Sequence, residues 1–219
     1  MNNVTACFLG QQDYVACWRA MRAFTDRRDA ETPDEIWSLQ HAPVFTQGQN
    51  GKPEHILDAG TIPVVKTDRG GQVTYHGLGQ LVVYPLINLT RKKLNIRAMV
   101  SVLENTMIQL LAEYNVQASA KPDAPGVYVA HKKIGSVGLR VRRGCSYHGL
   151  ALNIKMDLAP FSRINPCGFK QLEMTQLADF HPMLDLADVE KKLMHYLIKN
   201  LDYDDTVIHQ RLDHAIEQS

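Results

Sequence analysis

The sequence predicts an α+β domain built on a mixed or antiparallel sheet. Three observations carry this. Short β-branched runs separated by glycines and prolines outnumber the helical patterns, of which there are about three. Strand-like runs follow one another without intervening helices, whereas a doubly wound parallel sheet needs a helix between nearly every pair of strands. The composition, 45% hydrophobic and 21% charged, is that of an ordinary globular domain and excludes disordered or collagen-like chains. The 219 residues contain no repeat and no Pro/Gly/Ser linker, so residues 1–219 are expected to form a single domain.

The elements follow in order. Tyr14, Trp18 and Met21, with Val15 and Phe24 beside them, recur at helical spacing and predict an amphipathic helix. TPDEIWSLQHAPVFTQG reads as a strand ending at a turn, punctuated by Pro43 and Gly48. IPVV, QVTY and QLVVYPLINL, between Ile62 and Leu89, are further strand signals. Asn95 is the expected N-cap of a long helix whose apolar face runs through Ile96, Met99, Val100, Leu103, Met107, Leu110, Leu111 and Tyr114. GVYVAHKKIGSVGLRVRRGCSYHGLALNI predicts three strands joined by tight turns, since Ile134, Ser136, Gly138 and Arg140 alternate with Val137, Leu139 and Val141. Val189, Leu193, Met194 and Leu197 mark a last helix, in a stretch after about residue 180 that is expected to be a helical extension.

Charge and cysteine usage narrow the function classes. Lys and Arg number 24 against 23 Asp and Glu, a balance unlike that of proteins coating nucleic acid or anionic membranes. Cys7, Cys17, Cys145 and Cys167 show no zinc-type spacing and are too few and scattered for a disulfide scaffold. The start MNNVTACFLGQQDY lacks the regions of a signal peptide, and no run reaches the ~18 apolar residues of a membrane span. A cytoplasmic location with free thiols, no metal and no nucleic-acid or membrane partner is the expectation.

Three segments can carry chemistry. The run from Arg69 to Gln80 has four glycines in twelve residues, room for close backbone approach; Arg69 can bind a phosphate or carboxylate, and His76 can bond a reacting group. It is neither a Walker A loop nor a dinucleotide GxGxxG, and by itself it also fits a solvated hairpin. In the run from Lys132 to Arg140, a lysine entering an apolar strand can become a proton carrier; a solvated strand start is the plainer reading. His148 at a strand mouth reads as structural. In the run from Ile164 to Phe169, Cys167 stands between Pro166 and Gly168, where a turn exposes it, whereas Cys7 and Cys17 lie in apolar contexts. Cys145, beside Arg142 and Arg143, is the rival, since adjacent cations depress a thiol pKa.

RGGQVTYHGLGQLVVYPL, KIGSVGLRVRRGCSYHGLALNI and INPCGF followed by MTQL, supported by HAPVFTQG and DAPGVYV, resemble the lipoyl(octanoyl) transferases from about the first helix to the region of Thr175. The resemblance implies a mixed, mostly antiparallel sheet flanked by helices, like the biotin and lipoate protein ligases. It implies transfer of an octanoyl or lipoyl group from acyl carrier protein to a lysine of the lipoyl domains of 2-oxoacid dehydrogenase and glycine cleavage complexes, without a cofactor. Cys167 would carry the acyl group and Lys133 would activate the thiol, either as a neutral base in an apolar pocket or as one half of a Lys⁺/Cys⁻ pair. Arg69, Gly70, Gly71, Gln72, Val73, Thr74, Tyr75 and His76, together with Ser136, Val137, Gly138, Gly149, Leu150 and Ala151, correspond to acyl-substrate contacts. Gly70, Gly71, Gly77 and Gly149 leave room for the chain. Where the family pattern has an acid before His41, this chain has Gln40. Both protein partners are usually acidic, so Arg140, Arg142 and Arg143 are candidates for a basic face. The competing enzyme on the same fold is an ATP-dependent lipoate or biotin protein ligase, which has no need of a thiol.

Overall fold

Strand alternation sorts the apolar residues onto two faces of one large sheet. From β6 (Gln80–Leu86), Leu81 and Val83 enter one core while Val82, Tyr84 and Leu86 enter the other. From β10 (Cys145–Asn153), Leu150 and Leu152 join the first core, and Tyr147 and Ala151 the second. The first face is covered by α2 (Ile96–Glu113) and α3 (Leu186–Asn200), the second by α1 (Tyr14–Arg27). The computed structural model describes residues 2–166 and 172–209.

The sheet has eight strands. β1 (Asn3–Gln12) pairs in parallel with β2 (Asp34–His41) and with β11 (Asp205–His209). From β2 the sheet continues antiparallel through β6, β10, β9 (Lys132–Arg142), β8 (Gly126–Val129) and β7 (Ser119–Ala120). A three-stranded sheet joins β4 (Val64–Lys66), β3 (Val44–Gln47) and β5 (Val73–His76). The α+β class and the mixed sheet flanked by helices are as the sequence predicts. Among the described residues, the three α-helices start at side-chain caps: Asp13, Asn95 and Asp185 accept from the N–H groups of Ala16, Ala98 and Ala187.

Three details differ from expectation. The run from Thr32 to Gly48 is two strands in two sheets, because Pro43 cannot donate to a ladder and the chain turns there. Ile96, placed on the buried face of α2, lies in the first turn and is 55% exposed. The stretch after residue 180 is not all helix, since β11 follows α3 and pairs with β1 at the sheet edge. Tyr203 anchors this end by donating to Asp34 at 2.6 Å.

Candidate active site

The glycine-rich segment forms a turn stapled to its neighbours. Gly48, Gln49 and Asn50 donate backbone N–H groups to Gln72, Arg69 and Gly71. Gly70 N–H donates to Leu139 O on β9 at 3.0 Å. That crossing needs glycine on both sides: a Cβ on Gly70 would stand 3.1 Å from Leu139 O, and one on Gly138 would stand 3.1 Å from Gly70 O. Arg69 is buried and directs its guanidinium inward, with Nε donating to Thr46 Oγ1 (3.0 Å), Nη1 to Gly70 O (2.9 Å) and Nη2 to Thr46 O (2.6 Å) and Gln72 O (2.8 Å). In this geometry the arginine clamps the turn, a use the expected anion contact did not foresee.

Beneath the turn lies a cleft with about 60 Å³ of free space, room for roughly four to six water-sized groups. The turn residues from Arg69 to Thr74, together with His76, line one side. Ser136, Val137 and Gly138 of β9 and Gly149, Leu150 and Ala151 of β10 line the sheet side. Tyr75 does not reach the cleft. It alternates to the other face of β5 and packs on Phe45 and Phe161, with ring centroids 5.5 and 5.4 Å away. Gly77 leaves room for that tyrosine rather than for a ligand, since a Cβ there would stand 2.5 Å from the Tyr75 hydroxyl.

His76, His148, Tyr14 and Tyr84 complete the wall, and His41 is hydrogen-bonded to Tyr84. His76 donates from Nδ1 to Gln80 Oε1 at 2.7 Å, and burial, helped by His41 and Arg69, lowers its pKa to about 3. His41 meets Tyr84 at 2.7 Å and Gln12 O at 2.9 Å, and burial lowers it to about 4. His148 has φ 58°, left-handed backbone inside a strand, and its ring lies against Asp68 and Tyr84 beside the cleft. Its Nε2 donates to Asp68 at 2.9 Å; burial lowers its pKa despite that partner. Asp68 also accepts from Trp18 (2.7 Å) and Tyr147 (2.5 Å). Burial alone would raise the Asp68 carboxyl, but these donors together hold it well below the usual range. Two imidazoles with lowered pKa, His76 and His148, therefore line the cleft beside Arg69, and Asp68 holds His148. Gln40 accepts from Gly79 N–H at 2.8 Å, work a neutral amide performs without an acid.

Lys133 sits at the start of β9, one strand register away from the cleft. A bulge places Ile134 and Gly135 consecutively toward the helix-side core, where Ile134 is buried and a Gly135 Cβ would meet Met107. This puts Lys133 on the same face as Ser136, three residues on. Lys133 is 1% exposed; its Nζ donates to Pro125 O at 2.8 Å and stands 5.3 Å from the Tyr128 ring. Its backbone pairs with the segment around Met174, donating to Glu173 O and accepting from Thr175 N–H. A chain of hydrogen bonds runs back from there: Thr175 O accepts from Asn153, whose Oδ1 accepts from Gln80, which holds His76.

Cys167 lies outside the described residues. Its described flanks, Pro166 and Leu172, both line a groove with Lys132 and Met174. The other thiols are buried. Burial, with Glu35 and Asp13 adding, raises Cys7 and Cys17 to about 12. Cys145 is raised too, because burial outweighs the neighbouring arginines, so the expected depression does not occur there. Arg142 pairs with Asp26 at 2.7 Å, Arg143 donates to Asp26 O, and Arg140 donates to Gln49, so this basic cluster is partly neutralised. Among the described residues no group of three or more His, Cys, Asp or Glu is arranged to hold a metal. No described helix is long and apolar enough to cross a membrane.

The lipoyl protein ligase A/B catalytic domain family matches residues 13–198. An octanoyltransferase of Vibrio cholerae is 60% identical over 196 residues, 90% of either chain. Among solved structures, a lipoate-protein ligase A bound with ATP superposes with TM-score 0.79 at 14% identity, over 98% of this chain and 91% of the other. The bipartite lipoate protein ligase of Thermoplasma acidophilum, studied with its E2 lipoyl domain, gives 0.77 at 15% identity, over 98% and 89%.

Proposed function

The chain belongs to the lipoyl protein ligase A/B catalytic domain family, and from that premise we propose how its residues carry out acyl transfer. The enzyme is an acyltransferase that moves octanoyl groups in lipoate biosynthesis. The proposed donor is octanoyl-acyl carrier protein in the cytoplasm, with lipoyl transfer as a variant of the same reaction. The acceptor is a specific lysine of the lipoyl domains of 2-oxoacid dehydrogenase and glycine cleavage complexes. The related archaeal ligase was likewise studied with a lipoyl domain.

The observation that carries the residue assignment is Lys133. It is a buried amine held by Pro125 O and bridged through its backbone to the segment around Met174, after the PCG motif. In this reading Lys133 takes the thiol proton of Cys167. The thiolate attacks the thioester carbonyl, a new C–S bond forms, and the carrier's C–S bond breaks. The leaving thiolate recovers the proton from Lys133. One thioester replaces another, so the acyl group stays reactive. The lysine amine of the lipoyl domain then attacks; C–N forms, C–S breaks, and the amine proton passes through Lys133 to the Cys167 sulfur. Two protein substrates thereby use one site in turn, which predicts ping-pong kinetics. The apolar wall of Val73, Val82, Val137, Leu150 and Ala151 suits the alkyl chain, each buried CH₂ contributing about 0.8 kcal/mol. Backbone N–H groups at the glycine segments are the candidate donors to the tetrahedral oxyanion.

Incubation with octanoyl-carrier protein followed by intact mass measurement tests the assignment. The expected result is a hydroxylamine-sensitive octanoyl adduct on Cys167, absent in Cys167→Ala together with transfer. ATP-dependent transfer of free octanoate by Cys167→Ala would replace this reading with the ligase one. Tight binding with no adduct would indicate a non-catalytic acyl-binding module.

A further inference from the structure

Pro125 and Gly126 share one peptide bond, and side chains grip that bond from both ends. Its carbonyl accepts from Lys133 Nζ at 2.8 Å. Its N–H donates to Glu104 Oε1, on α2, also at 2.8 Å. An amide is conjugated, so a carboxylate bound at its N–H moves electron density toward its oxygen and strengthens that oxygen as an acceptor. Glu104 is 9% exposed, an uncommon place for a mid-helix glutamate, which ordinarily reaches water.

The surroundings are shaped to this contact. Gly126 has φ +128°, and a Cβ there would stand 2.5 Å from Gly135 O and 2.7 Å from Lys133 Cε. Only glycine lets the peptide plane lie flat against the lysine stem. The bulge between β8 and β9 turns Lys133 toward this plane, and the Tyr128 ring centroid stands 5.3 Å from its Nζ. Glu104 does not line the acyl cleft.

We propose that Glu104 is a positioning residue for the transferase, setting the direction and hydrogen-bond strength of the Lys133 amine through the Pro125–Gly126 peptide. The proposal rests on the reading of Lys133 as the thiol's proton acceptor. Glutamine at position 104 keeps an acceptor for Gly126 N–H but loses the charge, and leucine loses both. Because the effect reaches the proton acceptor and not the acyl cleft, it falls on turnover and leaves donor affinity alone.

The test compares full-length Glu104→Gln, Glu104→Leu and Lys133→Met in the acylation half-reaction with octanoyl-carrier protein, followed by rapid quench and intact mass. Acylation is expected to slow by about 10-fold in E104Q and about 100-fold in E104L, with KM for the donor within about twofold of the parent. The partial rescue by glutamine separates this role from packing, since leucine fills similar space. An E104L protein that acylates within twofold of the parent, or a loss confined to KM, overturns the proposal. If E104L does not fold, E104Q decides alone, and a parent-like rate overturns it. A parent-like rate in Lys133→Met instead removes the premise about Lys133, and the role of Glu104 falls with it.

Discussion

Replacing Asp68 with alanine removes the common acceptor of Trp18, Tyr147 and His148, at 2.7, 2.5 and 2.9 Å. Hydrogen bonds to a charged group contribute about 1.5–3 kcal/mol each. Asp68's side chain is 27% exposed, so water replaces part of that, and values near the lower limit apply. His148 Nε2, in a side chain only 2% exposed, loses its partner without solvent access. A total of about 3–5 kcal/mol follows, which lowers Tm by about 6–20 °C in a domain of this size. Asp68→Asn keeps an acceptor oxygen for Trp18 and His148 but no charge, and should cost about half as much. The pH dependence has a defined sign. The folded carboxyl is held below its ordinary pKa, so its stabilisation is complete above the unfolded value of about 4 and declines as pH falls below it. Urea unfolding of the parent and D68N from pH 7 to pH 3 reads this directly, as a stability difference that shrinks below about pH 4. A difference that stays constant across that range, or D68A within about 1 kcal/mol of the parent, would refute the reasoning.

Two further outcomes are expected. Iodoacetamide near neutral pH should label the Cys167 peptide quickly and spare Cys7, Cys17 and Cys145, whose thiols are buried with raised pKa values; peptide mass mapping that finds Cys145 labelled first would contradict this. Gly138→Ala puts a methyl group 3.1 Å from Gly70 O and 3.5 Å from Arg69 Cδ. It should destabilise by about 1–3 kcal/mol and raise KM for the acyl donor by displacing the turn, and unchanged stability and KM together would show that the turn does not cap the cleft.

The helices and the three strands from Gly126 to Asn153 were legible because their apolar spacing is local. Asn95 as a cap was legible for the same reason. β1 and β11 were not, because their ladder joins residues such as Val4 and Thr206, and no local pattern announces a parallel partner two hundred positions away. Tyr75 sits inside a ligand-like motif, yet alternation turns it to the opposite core. His148 departs from its strand's alternation through a left-handed backbone, which the sequence does not mark.

From the sequence alone came the α+β class and the ordered run of motifs, whose family resemblance implies Cys167 as acyl carrier with Lys133 as its activator. These depend on residue type and on neighbours a few positions apart. Tertiary structure decided that Arg69 clamps a turn, that Cys145 is a buried thiol with a raised pKa, and that His76 and His148 line one cleft, with His41 held against Tyr84. It also set Glu104 and Lys133 on opposite ends of one peptide. Burial and hydrogen-bond partners set those properties, and the partners lie 80 residues apart for His148 and Asp68, and 22 for Glu104 and Gly126. Such distances close only when the sheet forms and carries the segments together.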